Sequence, residues 1–373
     1  MKRWSALALV LSLLTAAPAV ALDAVVVKRR AVLKDFQFEN GERVPELALG
    51  VETYGRLNQA GDNAILICHF LAGDSHAAGY YTPAREREGW WNELIGPGQA
   101  IDTDRFFVVC MDLPCNMKAT KDPYVIASGP SALDPATGQA YGMRWPTTTV
   151  RDMVHSQRAV LDTLGVRHLV AVTGPSLGGM LAWQFGIEYP GYADVVIPVS
   201  APVAFKSEEL FGFETSAIAI RSDPFWALGD YYATPWEPDY GVAMASYGLA
   251  ALQSPLTAWG FYVNLYTYLR QAKEQYDANH YLYLIEAHRS YELGRELGGL
   301  AAAFAQVRAD VLVIGYQADQ FITPDRLRTA GDALDRAGVR NAVVILQGTH
   351  DHLSVLYDAA EMIPVFREIL RGR

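Results

Sequence analysis

The sequence predicts an α/β fold in which a mostly parallel central sheet is covered by helices on both faces and carries an inserted helical cap. Short runs of β-branched residues alternate with helical patterns or long loops along most of the chain. Such alternation is typical of parallel sheets buried on both faces. The alternation stops between about residues 204 and 293, where a helical, aromatic-rich segment is predicted to form the cap.

Six short apolar runs are predicted to be strands, because they are rich in Val and Ile and lie between turn signals or helical patterns. They span 64–70, 106–111, 168–173, 195–200, 311–316 and 343–346. A helix is predicted from Val150 to Leu164, where apolar residues recur at helical spacing and Gly165 follows as a stop signal.

The first residues have the pattern of a secretory signal peptide. Lys2 and Arg3 precede an apolar run of about ten residues, and Ala19-Val20-Ala21 forms a small-x-small cleavage pattern. The run is too short, and is broken too soon by Pro18, to act as a membrane anchor. We therefore expect a periplasmic or secreted protein, without a stable membrane anchor, whose mature chain begins at Leu22.

These observations divide the chain into four parts. Residues 1–21 are the predicted signal peptide, 22–203 the first part of the core, 204–293 the cap, and 294–373 the second part of the core. Most of the Trp and Tyr rings of the cap, among them Trp226, Tyr231, Trp236, Trp259 and Tyr262, are expected to pack its own core, and a few to line a pocket.

Composition and charge exclude several classes of protein. A hydrophobic fraction of 51% excludes disorder and allows one large core plus an insertion. The formal charge is −10, and it becomes −12 when the two basic residues Lys2 and Arg3 are removed. No basic cluster remains that could follow a phosphate backbone, so nucleic acid is not an expected partner.

Three cysteines, Cys68, Cys110 and Cys115, are too few for a disulfide scaffold. An exported protein could oxidise one pair and leave one thiol free, or keep all three reduced, and both alternatives stay open. Their spacing does not match a metal site, so no metal is expected.

The motif Gly174-Pro175-Ser176-Leu177-Gly178 follows a predicted strand and precedes a predicted helix, the setting of a nucleophile elbow. The serine of such a turn needs a strained backbone conformation, which neighbouring glycines allow. The helix N-terminus below it favours developing negative charge. We therefore predict that Ser176 is a nucleophile.

A serine nucleophile needs an imidazole base and a carboxylate that orients the imidazole, in later loops of this fold. Asp319 follows the strand over 311–316 and has no local role, whereas Asp325 is explained by the helix start at Thr323-Pro324. Of the histidines, His350 and His352 follow the last predicted strand, and either could be the base. Five others are predicted to be structural: His69, His155, His168, His280 and His288.

Acyl transfer also needs two backbone amides that stabilise an oxyanion, one directly after the serine and one from the loop after an early strand. The first is predicted to be that of Leu177. The second is expected in the segment CHFLAGDSHAAG, at Leu71.

At this point the sequence resembles the homoserine O-acetyltransferase family of α/β-hydrolase-fold proteins. The matching segments are HFLAGDSHAAG (69–79), GWWNELIGPGQAIDTDRFFVVC (89–110), PSALDPATGQAYGMRWPTTTVRDMVHSQ (130–157), GPSLGGM (174–180) and DANHYLYL (277–284). The resemblance implies an α/β-hydrolase fold, Ser176 as nucleophile and Asp319 as the acid. It implies His350 as the base, because the family's histidine is followed directly by aspartate, as in His350-Asp351; His352 is the second choice. It also implies dimerisation through the cap.

The family holds homoserine partly with a cap arginine and with a tyrosine seven residues later. Those positions correspond here to Ser246 and Gln253, which supply no charge for a substrate carboxylate. A shifted gap would place Arg221 or Arg270 there instead. Asp351, which corresponds to the family's contact to the substrate amine, is kept. The resemblance thus implies substrate-binding roles for these positions but leaves homoserine binding open.

Two functions follow from these patterns. The first is an exported serine hydrolase of small or medium carboxylic esters, with no metal or organic cofactor. The second is an O-acyltransferase that passes an acyl group from a donor such as acetyl-CoA to an alcohol. A non-catalytic binding protein on the same fold is the third alternative. The expected partner is in each case a small-molecule ester or acyl donor.

Overall fold

The computed structural model describes residues 25–253 and 265–373. The predicted signal peptide over 1–21 and the cap rings Trp259 and Tyr262 lie outside the described residues. None of the described helices has both the length and the apolar character needed to cross a membrane.

The centre of the molecule is an eight-stranded sheet with the order β1-β2-β4-β3-β5-β6-β7-β8. β1 pairs antiparallel with β2 and β2 antiparallel with β4, while all other pairs are parallel. The strands are β1 (Arg29–Gln37), β2 (Arg43–Tyr54), β3 (Ala64–Ile67), β4 (Phe107–Met111), β5 (Leu169–Pro175), β6 (Ala193–Val199), β7 (Asp310–Tyr316) and β8 (Asn341–Leu346). Two further strands of two residues, Ile95–Gly96 and Ile101–Asp102, pair separately.

The predicted mostly parallel sheet is confirmed, since the six apolar runs form β3 to β8. The first run ends earlier than expected, at Ile67, because the chain leaves the sheet there to form the loop over 69–79. β1 and β2 were not predicted. Much of β1 is exposed, so it lacks the continuous apolar character of the buried strands.

Helices cover both faces of this sheet. The α-helices are α1 (Val150–Thr163), α2 (Leu177–Glu188), α3 (Ser207–Arg221), α4 (Asp239–Gln253), α5 (Leu265–Gln275), α6 (Ala278–Arg289), α7 (Leu300–Phe304), α8 (Pro324–Arg336), α9 (Ser354–Tyr357) and α10 (Ile363–Ile369). Short 3-10 turns span Gly142–Arg144, Pro224–Gly229, Arg295–Leu297, Asp351–Leu353 and Ala359–Met362.

The predicted helix after residue 150 is present as α1. Thr149 and Asp152 form a reciprocal capping box at its start, and Gly165 follows its end with a φ of 80°. Asp152 also accepts a hydrogen bond from Glu39 N at 2.7 Å, which ties the helix to the hairpin of β1 and β2. A local sequence signal thus also fixes a tertiary contact.

Apolar side chains fill one layer on each face of the sheet. One layer includes Trp183 and Phe304, and the other includes Trp91 and Phe366; all four are almost fully buried. Both faces of the parallel strands are therefore covered, as the near-continuous apolar runs require.

The cap leaves and rejoins the core at one place. Ala204 and Glu292 form an antiparallel bridge, and Leu293 N donates to Val203 O at 2.8 Å. Helices α3 to α6 lie between these two crossings. Of the cap rings, Trp226 and Tyr231 are buried while Trp236 is exposed.

Asp277, at the N-cap of α6, joins the cap to the loop after β4. Its Oδ1 accepts hydrogen bonds from the Tyr231 and Tyr232 hydroxyls, both at 2.9 Å, and from His280 N at 3.0 Å. Its Oδ2 accepts from Thr120 Oγ1 at 2.8 Å. One carboxylate therefore caps a helix and holds two cap tyrosines against the core.

Replacing this carboxylate should destabilise the fold. We expect Asp277→Ala to lower the free energy of unfolding by about 2–4 kcal/mol, because it removes a helix cap and leaves buried hydroxyls without an acceptor. Urea denaturation measures the change. Asp239→Ala is the matched control, since Asp239 begins α4 but pairs with Lys273 at the surface; its cost should not exceed about 1 kcal/mol. Equal losses of unfolding free energy in both variants would contradict the role of Asp277 in holding the two cap tyrosines.

Candidate active site

Ser176 lies in the turn between β5 and α2, where it adopts φ 55° and ψ −116°. A positive φ is strained for a residue with a side chain and persists only where the surroundings impose it. Ser176 N donates to Val199 O of β6 at 2.9 Å, which holds the turn against the neighbouring strand. The local structure is the elbow that the motif predicts.

One backbone carbonyl lies so close to the motif that two of its positions have no space for a Cβ atom and must be glycine. An ideal Cβ on Gly174 would lie 2.1 Å from Cys68 O, and one on Gly178 would lie 2.0 Å from the same oxygen. Gly179 is similarly close to the side chain of Ala201, at 2.4 Å. The residue after β3 therefore passes so close to the elbow that no side chain fits at either motif glycine.

His352 connects the serine to the acid. Its Nε2 lies 2.9 Å from Ser176 Oγ and its Nδ1 lies 2.9 Å from Asp319 Oδ2. Asp319 accepts at Nδ1, so Nδ1 carries the proton and Nε2 is free to accept the serine proton. His352 and Asp319 are both buried, whereas Ser176 is partly accessible. This is the arrangement of a Ser-His-Asp triad.

The preference for His350 as the base is wrong. Its Nδ1 lies 3.0 Å from both oxygens of Asp358, and its side chain is 50% exposed. Asp358 also accepts hydrogen bonds from Thr349 N and Oγ1, which fixes the start of the turn outside the site. Asp351 then adopts φ 50°, and the chain reverses so that the next side chain, His352, points inward.

The electrostatics of Asp358 agree with a surface role for His350. Burial raises the pKa of the Asp358 carboxyl, but hydrogen bonds from Thr349 and His350 outweigh this effect and hold the pKa at about 2. Asp358 therefore stays ionised and keeps His350 in place. The family pattern of histidine followed by aspartate selected the wrong one of two histidines in this loop.

The Asp319 carboxylate is held in place by its own loop. Its Oδ1 accepts from Phe321 N at 3.0 Å and from Ile322 N at 2.8 Å, while Oδ2 faces His352. A buried carboxylate is stable only when it is hydrogen-bonded in this way. The structure thus brings Asp319 to the position that the sequence suggests.

The two predicted oxyanion amides lie on either side of the elbow. Leu177 is the first residue of α2, where backbone N–H groups have no acceptor within the helix. Leu71 is buried in the loop over 69–79, and its amide donates to no other group among the described residues. Their catalytic role stays a prediction.

Neutral side chains support the loop over 69–79, which carries Leu71. Burial lowers the pKa of His69 to about 4, so the ring is uncharged; its Nδ1 donates to Phe70 O at 2.7 Å. Asn116 Nδ2 lies 3.4 Å from His69 Nε2 and donates to Gly73 O at 3.0 Å. This agrees with the predicted structural role of His69.

Sequence reasoning missed a buried group of charges behind this loop. Glu52 Oε2 lies 2.8 Å from His76 Nδ1, and Lys28 Nζ lies within 3.5 Å of both Glu52 and Asp112. Asp112 accepts from Ser75 N at 2.7 Å, and burial raises its pKa to about 6. These residues come from β2, the end of β4 and the chain before β1, so no local spacing could indicate the cluster.

The predicted substrate-binding positions lie around α4. Ser246 is buried on this helix, and Gln253, its last residue, is partly buried. α4 lies against the turn Asp351–Leu353, in which Asp351 is buried. The alternative cations lie at the surface: Arg221 is 41% exposed beside Glu214, and Arg270 is 64% exposed beside Glu274.

Among the described residues, neither the cysteines nor a group of metal ligands forms a second reactive centre. All three cysteines are buried and free, so the alternative with three reduced thiols is the one observed. Burial raises the pKa of Cys68 and of Cys115 to about 12, so neither is a thiolate at neutral pH. Within 25–253 and 265–373, no three His, Cys, Asp or Glu side chains are grouped as metal ligands.

Comparisons with known proteins agree with this geometry. Residues 63–364 match the family model described as alpha/beta hydrolase fold. The chain is 36% identical over 356 residues to a homoserine O-acetyltransferase of Symbiobacterium thermophilum, covering 89% of this chain and 90% of that protein.

Two solved structures are similar at 31% identity. Esterase E22 superposes with a TM-score of 0.88, covering 93% of this chain and 100% of that one. A homoserine O-acetyltransferase from Bacillus anthracis superposes with a TM-score of 0.87, covering 94% and 99%. An esterase and an acyltransferase are thus equally similar in sequence to this chain.

The elbow should not accept a methyl group at its second glycine. We expect Gly178→Ala to lower the free energy of unfolding by about 3 kcal/mol or more, because Cβ and Cys68 O would overlap. Gly248→Ala, within α4, is the control. Its Cβ would lie 3.5 Å from Ser216 Oγ of α3, which is an ordinary contact, so the stability of this variant should be unchanged or higher by up to about 1 kcal/mol. Chemical denaturation compares the two, and an unaffected Gly178→Ala would argue against this close contact.

The two neighbouring histidines should differ sharply in function. We expect His352→Asn to lower the rate of ester hydrolysis by at least about a thousandfold, since it removes the base. His350→Asn should keep the rate within about threefold, as a surface change does. Steady-state hydrolysis of a p-nitrophenyl ester measures both. The reverse ranking would show that His350 is the base after all.

Proposed function

We propose that this chain, which belongs to the homoserine O-acetyltransferase-like family of the α/β-hydrolase superfamily, is an exported carboxylic ester hydrolase. The observation that carries the proposal is that four of the five Lys and Arg side chains of the cap lie within 4 Å of a carboxylate at the surface, while Ser246 stands at the position of the family's arginine. The proposed reaction passes through an acyl-serine.

In the proposed mechanism, Ser176 Oγ attacks the ester carbonyl while His352 Nε2 accepts the hydroxyl proton across the 2.9 Å contact. Asp319 holds the Nδ1 tautomer and stabilises the imidazolium. The amides of Leu71 and Leu177 stabilise the oxyanion. His352 then protonates the leaving alkoxide, and the same base activates water to release the acid.

The cap supplies little positive charge to a substrate. Its five basic side chains are Lys206, Arg221, Arg270, Lys273 and Arg289. The last four each lie within 4 Å of a carboxylate at the protein surface, and the eleven undescribed cap residues, 254–264, contain no Lys or Arg. With Ser246 at the position of the family's arginine, a free amino acid loses its charged anchor.

The cavity of the described residues that is lined by Arg87, Lys118 and Lys121 also offers no unpaired cation to a phosphate-rich acyl donor. This cavity, of about 330 Å³, lies between the cap and the loop after β4 and is lined by these three cations. Each already pairs with a carboxylate: Arg87 and Lys118 with Asp74, and Lys121 with Glu237. Asp122 and Glu274 also line the cavity, so together with the paired Asp74 and Glu237 four carboxylates offset the three cations and no net positive charge is left for phosphates.

Similarity to known proteins is compatible with this proposal. Esterase E22 and the Bacillus anthracis acetyltransferase have the same identity to this chain, so family membership alone does not choose between hydrolysis and acyl transfer. The proposal of export rests on residues 1–21, and an exported enzyme would meet water and extracellular esters.

We also propose a homodimer through the cap. It is supported by four large apolar side chains that are exposed on α3 and α4: Phe211, Ile218, Tyr240 and Met244.

An O-acyltransferase is the second candidate. It is favoured by the identity to the Symbiobacterium thermophilum acetyltransferase. Asp351 no longer supports it, because the base is His352 and the residue that follows this base is Leu353. A cap that excludes water would let an alcohol take the acyl group. A non-catalytic role is disfavoured, because Ser176, His352 and Asp319 form a continuous hydrogen-bonded chain.

Product analysis separates the two candidates. The purified mature chain is incubated with a p-nitrophenyl ester with and without added alcohols, and separately with acetyl-CoA and homoserine. We expect release of free acid at a rate that added alcohols do not change, and no O-acetylhomoserine. Ser176→Ala should abolish turnover and is the control for background hydrolysis. Transfer of the acyl group to an acceptor in preference to water would overturn the hydrolase.

A further inference from the structure

Arg326 is a largely buried cation that the mechanism above does not use. It is the third residue of α8, where a positive charge opposes the helix dipole. Its side chain is only 16% exposed, and that of its partner Glu209 only 6%. A cation in this unfavourable position needs compensating contacts, so its partners indicate what it does.

These partners come from two separate pieces of the chain, the start of the cap and the loop after β7. Arg326 Nη1 donates to Glu209 Oε1 at 2.5 Å and to Phe321 O at 2.9 Å, and Nη2 donates to Ala204 O at 2.8 Å. Ala204 is the point at which the chain enters the cap, and Glu209 lies in the first turn of α3. Phe321 belongs to the loop that carries Asp319. The guanidinium therefore joins the start of the cap to the loop of the catalytic acid.

Aromatic rings also connect the start of the cap to the loop of the catalytic acid. Phe205, next to the cap entry, stacks on Phe321 with ring centroids 6.2 Å apart and an interplanar angle of 30°. Phe321 in turn packs edge to face on His352, with centroids 5.1 Å apart and an angle of 82°. Phe321 thus contacts the cap on one side and the catalytic imidazole on the other.

Both backbone polar groups of Phe321 are hydrogen-bonded. Its N–H donates to Asp319 Oδ1, and its carbonyl accepts from Arg326. Glu209 completes the arrangement, since its Oε2 accepts from Lys206 N at 2.7 Å and so fixes the start of α3. A shift of Arg326 would move the Phe321 peptide, and with it both the acid and the ring that packs against His352.

We propose that Arg326 is a positioning residue. It couples the start of the cap, at Ala204 and Glu209, to the orientation of His352, and it acts through Phe321. The proposal rests on the assignment of the Ser176 triad in the proposed function. Arg326 does not touch the substrate. It sets the geometry in which the imidazole accepts the serine proton, and small misplacements of such a base cost large factors in rate.

Labelling with a fluorophosphonate tests the coupling in the full mature chain. The serine oxygen displaces fluoride from phosphorus, so the end point counts competent sites and the rate constant reports activation of Ser176 at each site. We expect Arg326→Gln to lower this rate constant about tenfold. The matched control is Arg328→Gln, two residues along the same helix, where the arginine pairs with exposed Asp325; its rate constant should stay within about twofold.

A double-mutant cycle separates coupling from general damage. Phe321→Leu should also slow labelling about tenfold, and the double variant with Arg326→Gln should be no more than about twofold slower than the slower single variant, because both act through one contact. Reductions that multiply to about a hundredfold would show independent effects and overturn the proposal. An unchanged rate constant per labelled site in Arg326→Gln would also overturn it.

If Arg326→Gln leaves too few labelled sites, Glu209→Gln provides the second measurement. It removes the charge partner but leaves the guanidinium bonded to two backbone carbonyls, so an intermediate slowing of about threefold is expected, and no slowing counts against the coupling.

Ser176→Ala distinguishes a failure of the proposed function from a failure of the coupling alone. If it still turns over ester, the proposed function is wrong; if it is inactive while the cycle is multiplicative, only the coupling is wrong.

Discussion

The contact between the Cys68 carbonyl and the two motif glycines is the constraint on which the site depends. Because neither Gly174 nor Gly178 has a Cβ, β3 can end directly against the turn that follows β5. The residue between them, Ser176, is then held at a positive φ. One close approach thus places Ser176 at the carboxyl end of β5, beside the start of the loop over 69–79.

The remaining members of the triad follow from the order of the strands. β5, β7 and β8 are parallel, and their carboxyl ends are followed by Ser176, Asp319 and His352. Loops from one edge of the sheet can therefore meet without long excursions. Burial of the carboxylate and the imidazole is tolerated because each polar atom has a partner.

What the sequence reveals and what it hides have separate physical causes. The strands β3 to β8 are continuous apolar runs, and the elbow is a five-residue motif, so both are visible locally. Whether His350 or His352 faces Ser176 depends on the φ of Asp351 and on Asp358, eight residues after His350, and no pattern encodes that turn. The buried charges at Glu52 and Asp112 depend on strand pairings distant in sequence and were likewise hidden.

On the proposed function, the difference between a hydrolase and an acyltransferase lies in the cap and not in the triad. Losing one partner of a buried charge pair typically costs about 2–5 kcal/mol of binding, which is roughly a 30- to 4,000-fold loss of affinity. On the proposed function, Ser246 imposes such a loss on any acceptor that carries a carboxylate, whereas water needs no anchor. The same elbow, acid and base would then release the acyl group to water, because the cap offers a competing alcohol that carries a carboxylate no charged anchor.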